Sequence, residues 1–220
     1  MPYDDRVRPR VLISDWGGVL TSPVRNSITE WIAAEGLDEE HYRTVMRGWM
    51  RGAYGDGTEN PIHALERGET PAAEFERRLA AELRTVDGSP VVAEGLLSRM
   101  FGGFHPVEPM FDVLRIAKRG GIRTALLSNS WGNSYPTERF AELFDAVVIS
   151  GEVGMRKPEE RIYAHTLAEV GHPPETCVFI DDMQQNIEAA ESAGMIGVHH
   201  TDPDVTIARL EDLFGIGLRA

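Results

Sequence analysis

Residues 11–21 of this chain read VLISDWGGVLT, and the other motifs are interpreted around them. The opening run is apolar, as in a buried parallel strand, and Asp15 stands where that strand would end. Gly17 and Gly18 follow, so the backbone is free to turn sharply and to pass close to a ligand. By itself the pattern fits either a tight turn capped by Asp15 or one corner of a binding site.

Composition narrows the class of protein. The 220 residues are 42% hydrophobic and 26% charged, which is typical of a globular protein with one domain plus a large insertion, or with two unequal domains. The net charge of −13 makes nucleic acid and anionic membrane surfaces poor partners. No apolar run approaches the ~20 residues of a membrane span, residues 1–10 lack an apolar signal core, and Cys177 is the only cysteine. We therefore expect a cytoplasmic protein without a disulfide.

The chain divides into two kinds of pattern. Across residues 22–105, apolar side chains recur at helical spacing and no convincing strand occurs, which predicts a small helical bundle. Further along, strand-like and helix-like stretches alternate, which predicts a parallel sheet covered by helices on both faces. We predict an α/β, doubly wound, Rossmann-like core formed by residues 1–21 and 106–220, with residues 22–105 inserted as an all-helical domain. The predicted strands after the first are residues 123–127, 146–149, 177–180 and 196–198.

Polar side chains follow several of these predicted strands. In an open parallel sheet ligands bind beyond the carboxyl ends of the strands, so these side chains should meet at one edge. Three converging carboxylates repel one another unless a cation lies among them, and Mg²⁺ prefers carboxylate and carbonyl oxygens. A hydroxyl, an amide and a lysine next to that cation suit a tetrahedral dianion. The side chains concerned are Asp15, Ser128, Asn129, Lys157, Asp181 and Asp182.

Four short motifs resemble, in order, those of the haloacid dehalogenase superfamily. They are DWGGV at residues 15–19, LSN at 127–129, GMRKP at 154–158 and FIDD at 179–182. The resemblance spans nearly the whole chain, and residues 22–105 stand where that superfamily carries a helical cap, of the C1 type, after the first motif. Residues 154–190 look most like the sugar-phosphate phosphatase branch, which includes α-glucose-1-phosphate phosphatases.

The resemblance implies a mechanism. Asp15 would be the nucleophile that forms an aspartyl-phosphate intermediate, which water then hydrolyses. Mg²⁺ would be held by Asp15, the backbone carbonyl of Gly17 and Asp182, with Asp181 as a further ligand or as a support behind them.

The resemblance also implies the substrate contacts. Ser128 and the amide of Asn129 would hold phosphoryl oxygens, and Lys157 would neutralise charge on nucleophile and substrate. Together with the nucleophile, Ser128 and Lys157 form the predicted catalytic set, while Trp16 and Gly17 complete the predicted substrate-binding residues. The implied substrate is a small phosphorylated metabolite, such as a sugar phosphate.

Gly17 is a departure from the superfamily pattern. Most phosphatases and mutases of the superfamily carry a second aspartate there, which protonates the leaving group and later activates water, and such groups contribute roughly 10²- to 10⁴-fold. The favoured interpretation is a substrate whose leaving group needs little protonation, such as an anomeric sugar hydroxyl. Two others stay open: a replacement acid, with His63, Glu66 or a water as candidates, or a site that binds phosphate and barely turns over.

Two other classes of function compete with a phosphatase. A 2-haloacid dehalogenase needs neither metal nor leaving-group acid, so Gly17 does not exclude it. The paired carboxylates of Asp181 and Asp182 weigh against it, because a metal-free site gains nothing from repelling charges. A non-catalytic phosphate-binding protein on the same fold is supported only by Gly17. We predict no particular oligomeric state.

Three further side chains each have two interpretations. Asn186 follows Asp182 by one helical turn and either orients it or is a surface amide. Trp131 either stacks on a sugar face or anchors its loop against the cap. Arg156 either reaches the substrate or remains a surface charge.

Overall fold

A computed structural model describes residues 8–51, 60–132 and 135–219. Its centre is one sheet of five parallel strands in the order β3-β2-β1-β4-β5. The strand that precedes Asp15 is therefore the middle one. The strands are β1 (Val11–Ser14), β2 (Arg123–Ser128), β3 (Ala146–Ile149), β4 (Cys177–Asp181) and β5 (Ile196–His199).

Helices connect the strands, and the described part of the insertion that follows β1 contains five of them. None of the helices in the described residues has the length and apolar character needed to cross a membrane. They are α1 (Val24–Ala34), α2 (Glu39–Arg51), α3 (Pro61–Glu66), α4 (Ala72–Glu82), α5 (Leu96–Met100), α6 (Glu108–Arg119), α7 (Phe140–Leu143), α8 (Ser150–Val153), α9 (Glu160–Val170), α10 (Gln184–Ser192) and α11 (Pro203–Phe214), with short 3-10 turns at Thr137–Arg139 and Pro174–Thr176.

Both faces of the sheet are buried, as its continuous apolar strands predict. On one face, Leu12 belongs to an apolar cluster that includes residues of α6 and α11. On the other face, Val11 and Ile13 belong to a cluster that includes residues of α9 and α10. The predicted α/β doubly wound fold is therefore confirmed.

The register brings the carboxyl ends of the three central strands level with one another. Ser14 pairs with Leu126 of β2 and with Ile180 of β4. The amide of Asp15 continues the ladder by donating to the Ile180 carbonyl oxygen at 2.9 Å. The chain therefore leaves all three strands at one edge, which is where ligands bind in sheets of this kind.

Helices α1–α5 form a separate apolar cluster of their own. In the described part of residues 22–105 there is no strand, only an isolated bridge between Leu37 and Thr85. A second bridge joins Thr21 to Pro106, where the chain leaves the sheet and returns to it. These contacts support the division into a core and an inserted helical domain, which stays a prediction.

Candidate active site

Lys157 lies at the centre of a buried group of charges beyond the carboxyl edge of the sheet. Its Nζ is 2.8 Å from Asp15 Oδ1 and 2.6 Å from Asp181 Oδ2, and its side chain is 1% exposed. Asp15 directly follows β1, Asp181 is the last residue of β4, and Lys157 reaches them from the segment after α8. The fold thus brings together three motif residues that are far apart in the chain.

Asp182 completes a cluster of three carboxylates. One oxygen from each of Asp15, Asp181 and Asp182 lies within 4.8 Å of the other two. Three negative charges face the single positive charge of Lys157, and a divalent cation would offset the difference. Mg²⁺ takes oxygen ligands at about 2.1 Å, so ligands on opposite sides of it are about 4.2 Å apart. The donor chemistry and the spacing therefore fit such an ion.

Burial makes these charges costly to hold. Burial raises the pKa of Asp15 to about 7. The positive charge of Lys157 opposes this rise, and the negative charges of Asp181 and Asp182 add to it. Burial, with the charge of Asp181, likewise raises the pKa of Asp182. Although burial disfavours a charged lysine, the carboxylates of Asp15 and Asp181 hold the pKa of Lys157 above its usual range. A cation among the carboxylates would favour their ionised forms and so counter the raised pKa values.

Gly18 allows Asp182 to lie against the turn that follows β1. The φ of Gly18 is +77°, and a Cβ on it would lie 2.3 Å from Asp182 Oδ2, so the position requires glycine. A Cβ on Gly17 would instead meet Val24 Cγ2 at 3.4 Å, which is van der Waals contact. The Gly18 amide also donates to Thr21 Oγ1 at 3.1 Å, which stabilises the turn.

Asp181 is held in place by several donors. Its Oδ1 accepts from the Met183 amide at 2.8 Å and from Asn186 Nδ2 at 3.0 Å. Its Oδ2 accepts from Lys157 Nζ at 2.6 Å and from Asn186 Nδ2 at 3.1 Å. Asn186, in the first turn of α10, therefore orients Asp181. Both predictions for Asn186, that it orients Asp182 and that it is a surface amide, are wrong. Direct metal contact falls more naturally to Asp182, because the oxygens of Asp181 already accept four hydrogen bonds.

Asn129 uses its side chain to hold the backbone of Lys157. Its Nδ2 donates to the Lys157 carbonyl oxygen at 3.0 Å, and its Oδ1 accepts from the Lys157 amide at 2.8 Å. A phosphoryl contact from residue 129 therefore has to come from its backbone amide. The neighbouring Ser128 is 3% exposed, and its Oγ accepts a hydrogen bond from Tyr135 Oη at 2.9 Å. Neither the Asn129–Lys157 pairing nor the Tyr135 contact is visible as a motif.

The ring of Trp16 belongs to the core. It is 8% exposed and makes edge-on contacts with Phe111, Tyr135 and Phe140 at centroid distances of 5.9, 5.6 and 5.8 Å. The predicted substrate contact of residue 16 is therefore restricted to its backbone. The ring instead fixes the start of the turn that carries the two glycines.

A comparison with protein families decides the class of this chain. The model of the haloacid dehalogenase-like hydrolases matches residues 9–194, which is most of its length. The chain belongs to this hydrolase family. The resemblance of the four motifs is thereby confirmed, and the motif residues are the ones that the fold gathers at the sheet edge.

This hydrolase is similar to several known proteins and solved structures. The sesquiterpene phosphatase astK of Aspergillus oryzae is 29% identical over 155 residues, covering 69% of this chain and 78% of astK. Acyl-CoA dehydrogenase family member 10 of Mus musculus is 26% identical over 218 residues, which cover 95% of this chain and 19% of that longer protein. The family enzyme BT-2542 of Bacteroides thetaiotaomicron has a TM-score of 0.67 at 21% identity, covering 89% of this chain and 95% of that one. Its complex with magnesium and inorganic phosphate has a TM-score of 0.60 at 21% identity, covering 88% and 94%.

Trp131 anchors the loop after β2 to the inserted helices of this hydrolase. Its ring centroid lies 5.6 Å from that of Phe75 and 5.7 Å from that of Phe101, both edge-on. Its Nε1 donates to Glu66 Oε1 at 3.0 Å. These contacts favour the loop anchor over the sugar-stacking platform.

The two candidate replacement acids do not suit that role. Both carboxylate oxygens of Glu66 accept hydrogen bonds, one from Trp131 Nε1 and the other from Arg156 Nε. Glu66 and Arg156 also form an ion pair. Arg156 is therefore a paired side chain, 11% exposed, and not a free surface charge. Burial, with the charges of Arg156 and Arg67, lowers the pKa of His63 to about 4, so its imidazole is neutral at neutral pH.

Proposed function

We propose that this hydrolase is a Mg²⁺-dependent phosphomonoesterase that acts on a small phosphorylated metabolite through an aspartyl-phosphate on Asp15. The observation that carries the proposal is the cluster of Asp15, Asp181 and Asp182 around the cation of Lys157, in which every member except the half-buried Asp182 is buried. Such an excess of negative charge has no stabilising purpose in a core, since unneutralised charges oppose burial. It has a purpose where a divalent cation and a phosphoryl group bind together.

Asp15 is placed to act as the nucleophile. Its Oδ1 accepts from Lys157 Nζ, so the other carboxylate oxygen is the attacking atom. That oxygen forms a bond to phosphorus as the bond from phosphorus to the leaving oxygen breaks, and water supplies the proton to the leaving group. A water molecule then attacks the phosphorus, which releases inorganic phosphate and restores the carboxylate.

Lys157 is placed to neutralise charge on both reactants. Its ammonium group has three N–H donors, and two of them are directed to Asp15 and Asp181. The third is available for a phosphoryl oxygen, next to the hydroxyl of Ser128 and the backbone amide of residue 129. Asn129 and Asn186 keep this arrangement rigid, since one clamps the lysine backbone and the other anchors Asp181. Preorganised donors of this kind are the main requirement of phosphoryl transfer.

The metal ion would be held by the carboxylates of Asp15 and Asp182 and by the backbone carbonyl of Gly17. Asp181 would support it from behind, with its position fixed by Lys157 and Asn186. When bound, such an ion supplies electrostatic stabilisation of the phosphoryl oxygens and of the ionised nucleophile.

Two relatives support the chemistry. AstK is named a sesquiterpene phosphatase, and it matches this chain over two thirds of its length. BT-2542, which shares the fold, has been solved with magnesium and inorganic phosphate. The absence of an aspartate at residue 17 favours substrates with a good leaving group, such as sugar phosphates bearing the phosphate on the anomeric oxygen.

The test is a screen of phosphomonoesters and 2-haloacids, with Mg²⁺ and with excess chelator. We expect phosphate release that requires Mg²⁺ and that falls on the order of 10⁴-fold or more in Asp15→Asn. The matched control is Asp212→Asn, which removes an exposed carboxylate of α11 and should behave as the parent. Halide release without metal would instead identify a dehalogenase, and Mg²⁺-dependent phosphate binding without turnover would identify a non-catalytic binding protein. Either result would overturn the proposal.

A further inference from the structure

Tyr135 stands behind the phosphoryl-binding hydroxyl of the proposed site. It precedes the 3-10 turn at Thr137–Arg139, and its Oη donates to Ser128 Oγ at 2.9 Å. Its ring is fixed between aromatic neighbours, with centroids 5.6 Å from Trp16 and 6.0 Å from Phe140. The position of the phenol oxygen is therefore set by core packing, and the hydrogen bond to Ser128 follows from it.

A hydroxyl group has one proton to donate and two lone pairs to accept with. If Ser128 donated its proton to Tyr135, no proton would remain for a phosphoryl oxygen. With Tyr135 as the donor, Ser128 accepts from behind, and its own O–H is left to point away from the tyrosine. Ser128 ends β2 at the edge of the sheet where Asp15 and Lys157 also lie.

We propose that Tyr135 is a positioning residue, which orients the Ser128 hydroxyl so that its proton points to the phosphoryl group. This inference rests on the proposed phosphatase function. The tyrosine does not touch the reacting atoms in this account, and it acts through Ser128 alone. Its removal should therefore weaken binding of the phosphoryl group and of the transition state by the value of one oriented hydrogen bond.

The phenol suits a permanent donor better than an acid that gives up its proton. Burial raises the pKa of Tyr135 to about 12. The phenol therefore keeps its proton at neutral pH and well above it. Its effect on phosphoryl binding should not depend on pH in that range.

The test is a double-mutant cycle between Tyr135→Phe and Ser128→Ala, measured as Mg²⁺-dependent hydrolysis of p-nitrophenyl phosphate. Phenylalanine keeps the ring contacts and removes only the hydroxyl. Loss of one hydrogen bond predicts a fall in kcat/KM of about three- to tenfold for Tyr135→Phe in the parent. In the Ser128→Ala background the same substitution should change kcat/KM by less than about twofold, since the group it orients is gone. The pH profile of Tyr135→Phe should keep the shape of the parent's.

Tyr42→Phe is the matched control, because it removes the hydroxyl of a buried tyrosine in α2, outside the site. It should leave kcat/KM unchanged, and both tyrosine variants should melt close to the parent. Equal falls for Tyr135→Phe in the two backgrounds would show that the tyrosine acts independently of Ser128, and no fall in the parent would show that it does not act at all. Both results would overturn the inference while leaving the phosphatase proposal intact.

A direct binding measurement separates failure of the two proposals. Inorganic phosphate is titrated into Asp15→Asn in the presence of Mg²⁺, with and without the additional Tyr135→Phe substitution. We expect the added substitution to weaken phosphate binding by a factor similar to that seen in kcat/KM. If the parent neither hydrolyses phosphomonoesters nor binds phosphate, the proposed function fails and the inference fails with it.

Discussion

This hydrolase has two clusters of charged side chains, which meet at the adjacent residues Arg156 and Lys157. The two clusters differ in their balance of acids and bases. The site cluster (Asp15, Lys157, Asp181 and Asp182) has three acids and one base. The boundary cluster (Glu66, Arg67, Arg156 and Glu159) has two of each. It joins the inserted helices to the core through the Arg156–Glu66 pair and through Arg67 Nη1, which is 3.1 Å from Glu159 Oε1.

The difference in charge balance separates a site for chemistry from a structural contact. In the boundary cluster every charge has a partner of the opposite sign, so partial burial is tolerated. In the site cluster burial, reinforced by the charges of Asp181 and Asp182, raises the pKa of Asp15 to about 7, so the ionised cluster opposes folding. Arg156 and Lys157 are adjacent, yet one belongs to each cluster. Four measurements sharpen or break this comparison. Two are of catalytic rate and two are of thermal stability, and they follow in order of decreasing free-energy change.

Gly18→Ala should have the largest effect, because a Cβ there would collide with Asp182 Oδ2. Misplacing a catalytic group by about 1 Å costs on the order of 10²-fold in rate. We therefore expect a loss of phosphatase activity of that size, together with a higher Mg²⁺ requirement, in steady-state assays. Gly171→Ala, just after α9, is the matched control, because its φ is also positive, at +66°, and no atom lies within 4 Å of its Cβ. It should keep the parent's activity, and equal losses in both variants would mean that backbone strain, and not the collision with Asp182, is what alanine introduces.

Glu66→Gln should destabilise the protein, because it leaves the buried guanidinium of Arg156 without its counter-charge. Breaking a partly buried pair in this way costs about 2 kcal/mol, which lowers Tm by roughly 4–8 °C in a chain of this size. Thermal unfolding measures the effect, and Glu94→Gln, an exposed acid in the same inserted region, serves as the control. An unchanged Tm would show that the boundary cluster does not hold the inserted helices to the core.

Gly17→Asp should improve turnover of substrates with poor leaving groups. A Cβ at residue 17 meets only Val24 Cγ2, at 3.4 Å, and an acid there would protonate the leaving oxygen. We expect a gain of about tenfold or more for simple alkyl phosphates, near the lower end of general acid catalysis. p-Nitrophenyl phosphate, whose leaving group needs no acid, should gain less. Equal gains for the two substrates would contradict our explanation of the glycine.

Asp15→Asn should stabilise the metal-free protein at high pH. The pKa of Asp15 is raised from its ordinary value of 3.8 to about 7, so the folded state holds a proton that the unfolded state releases. The contribution of Asp15 to folding stability in the parent therefore falls as pH rises from about 4 to about 7 and is lowest above that range. In the presence of chelator, the variant should melt about 2–4 °C above the parent at pH 8 and close to it near pH 4. A variant that melts below the parent at pH 8 would show that the ionised site cluster does not destabilise the folded protein.

The location of the site follows from the sequence because parallel strands end at the same edge. Apolar runs identify the strands, and Asp15, Ser128 and Asp181 stand at their ends, so their convergence is a property of the sheet itself. Lys157 is harder to place, since seven residues separate it from β3, and α8 occupies part of that stretch. The sequence predicted its place from its position past the end of a strand, and the resemblance of the motif at residues 154–158 supported the same placement.

The partners of the supporting side chains could not be predicted from the sequence. Asn186 was one helical turn from Asp182, yet it donates to Asp181, because the backbone at the start of α10 directs it to the strand end. Asn129 binds the backbone of a residue 28 positions away. Trp16 lies beside the nucleophile but turns its ring into the core. Such choices are made by three-dimensional packing, which leaves no periodic signal in the chain.

The central claim is that Asp15 becomes phosphorylated during turnover, and trapping that intermediate tests it most directly. Without an acid–base group at residue 17 we expect slow hydrolysis of the acyl phosphate, so the intermediate should accumulate. Borohydride added during turnover reduces an aspartyl-phosphate to homoserine, which peptide mass spectrometry locates. We predict homoserine at residue 15, only when Mg²⁺ and a phosphorylated substrate are both present. Unmodified Asp15 in an enzyme that is actively releasing phosphate, or reduction at Asp181 or Asp182 instead, would contradict the account.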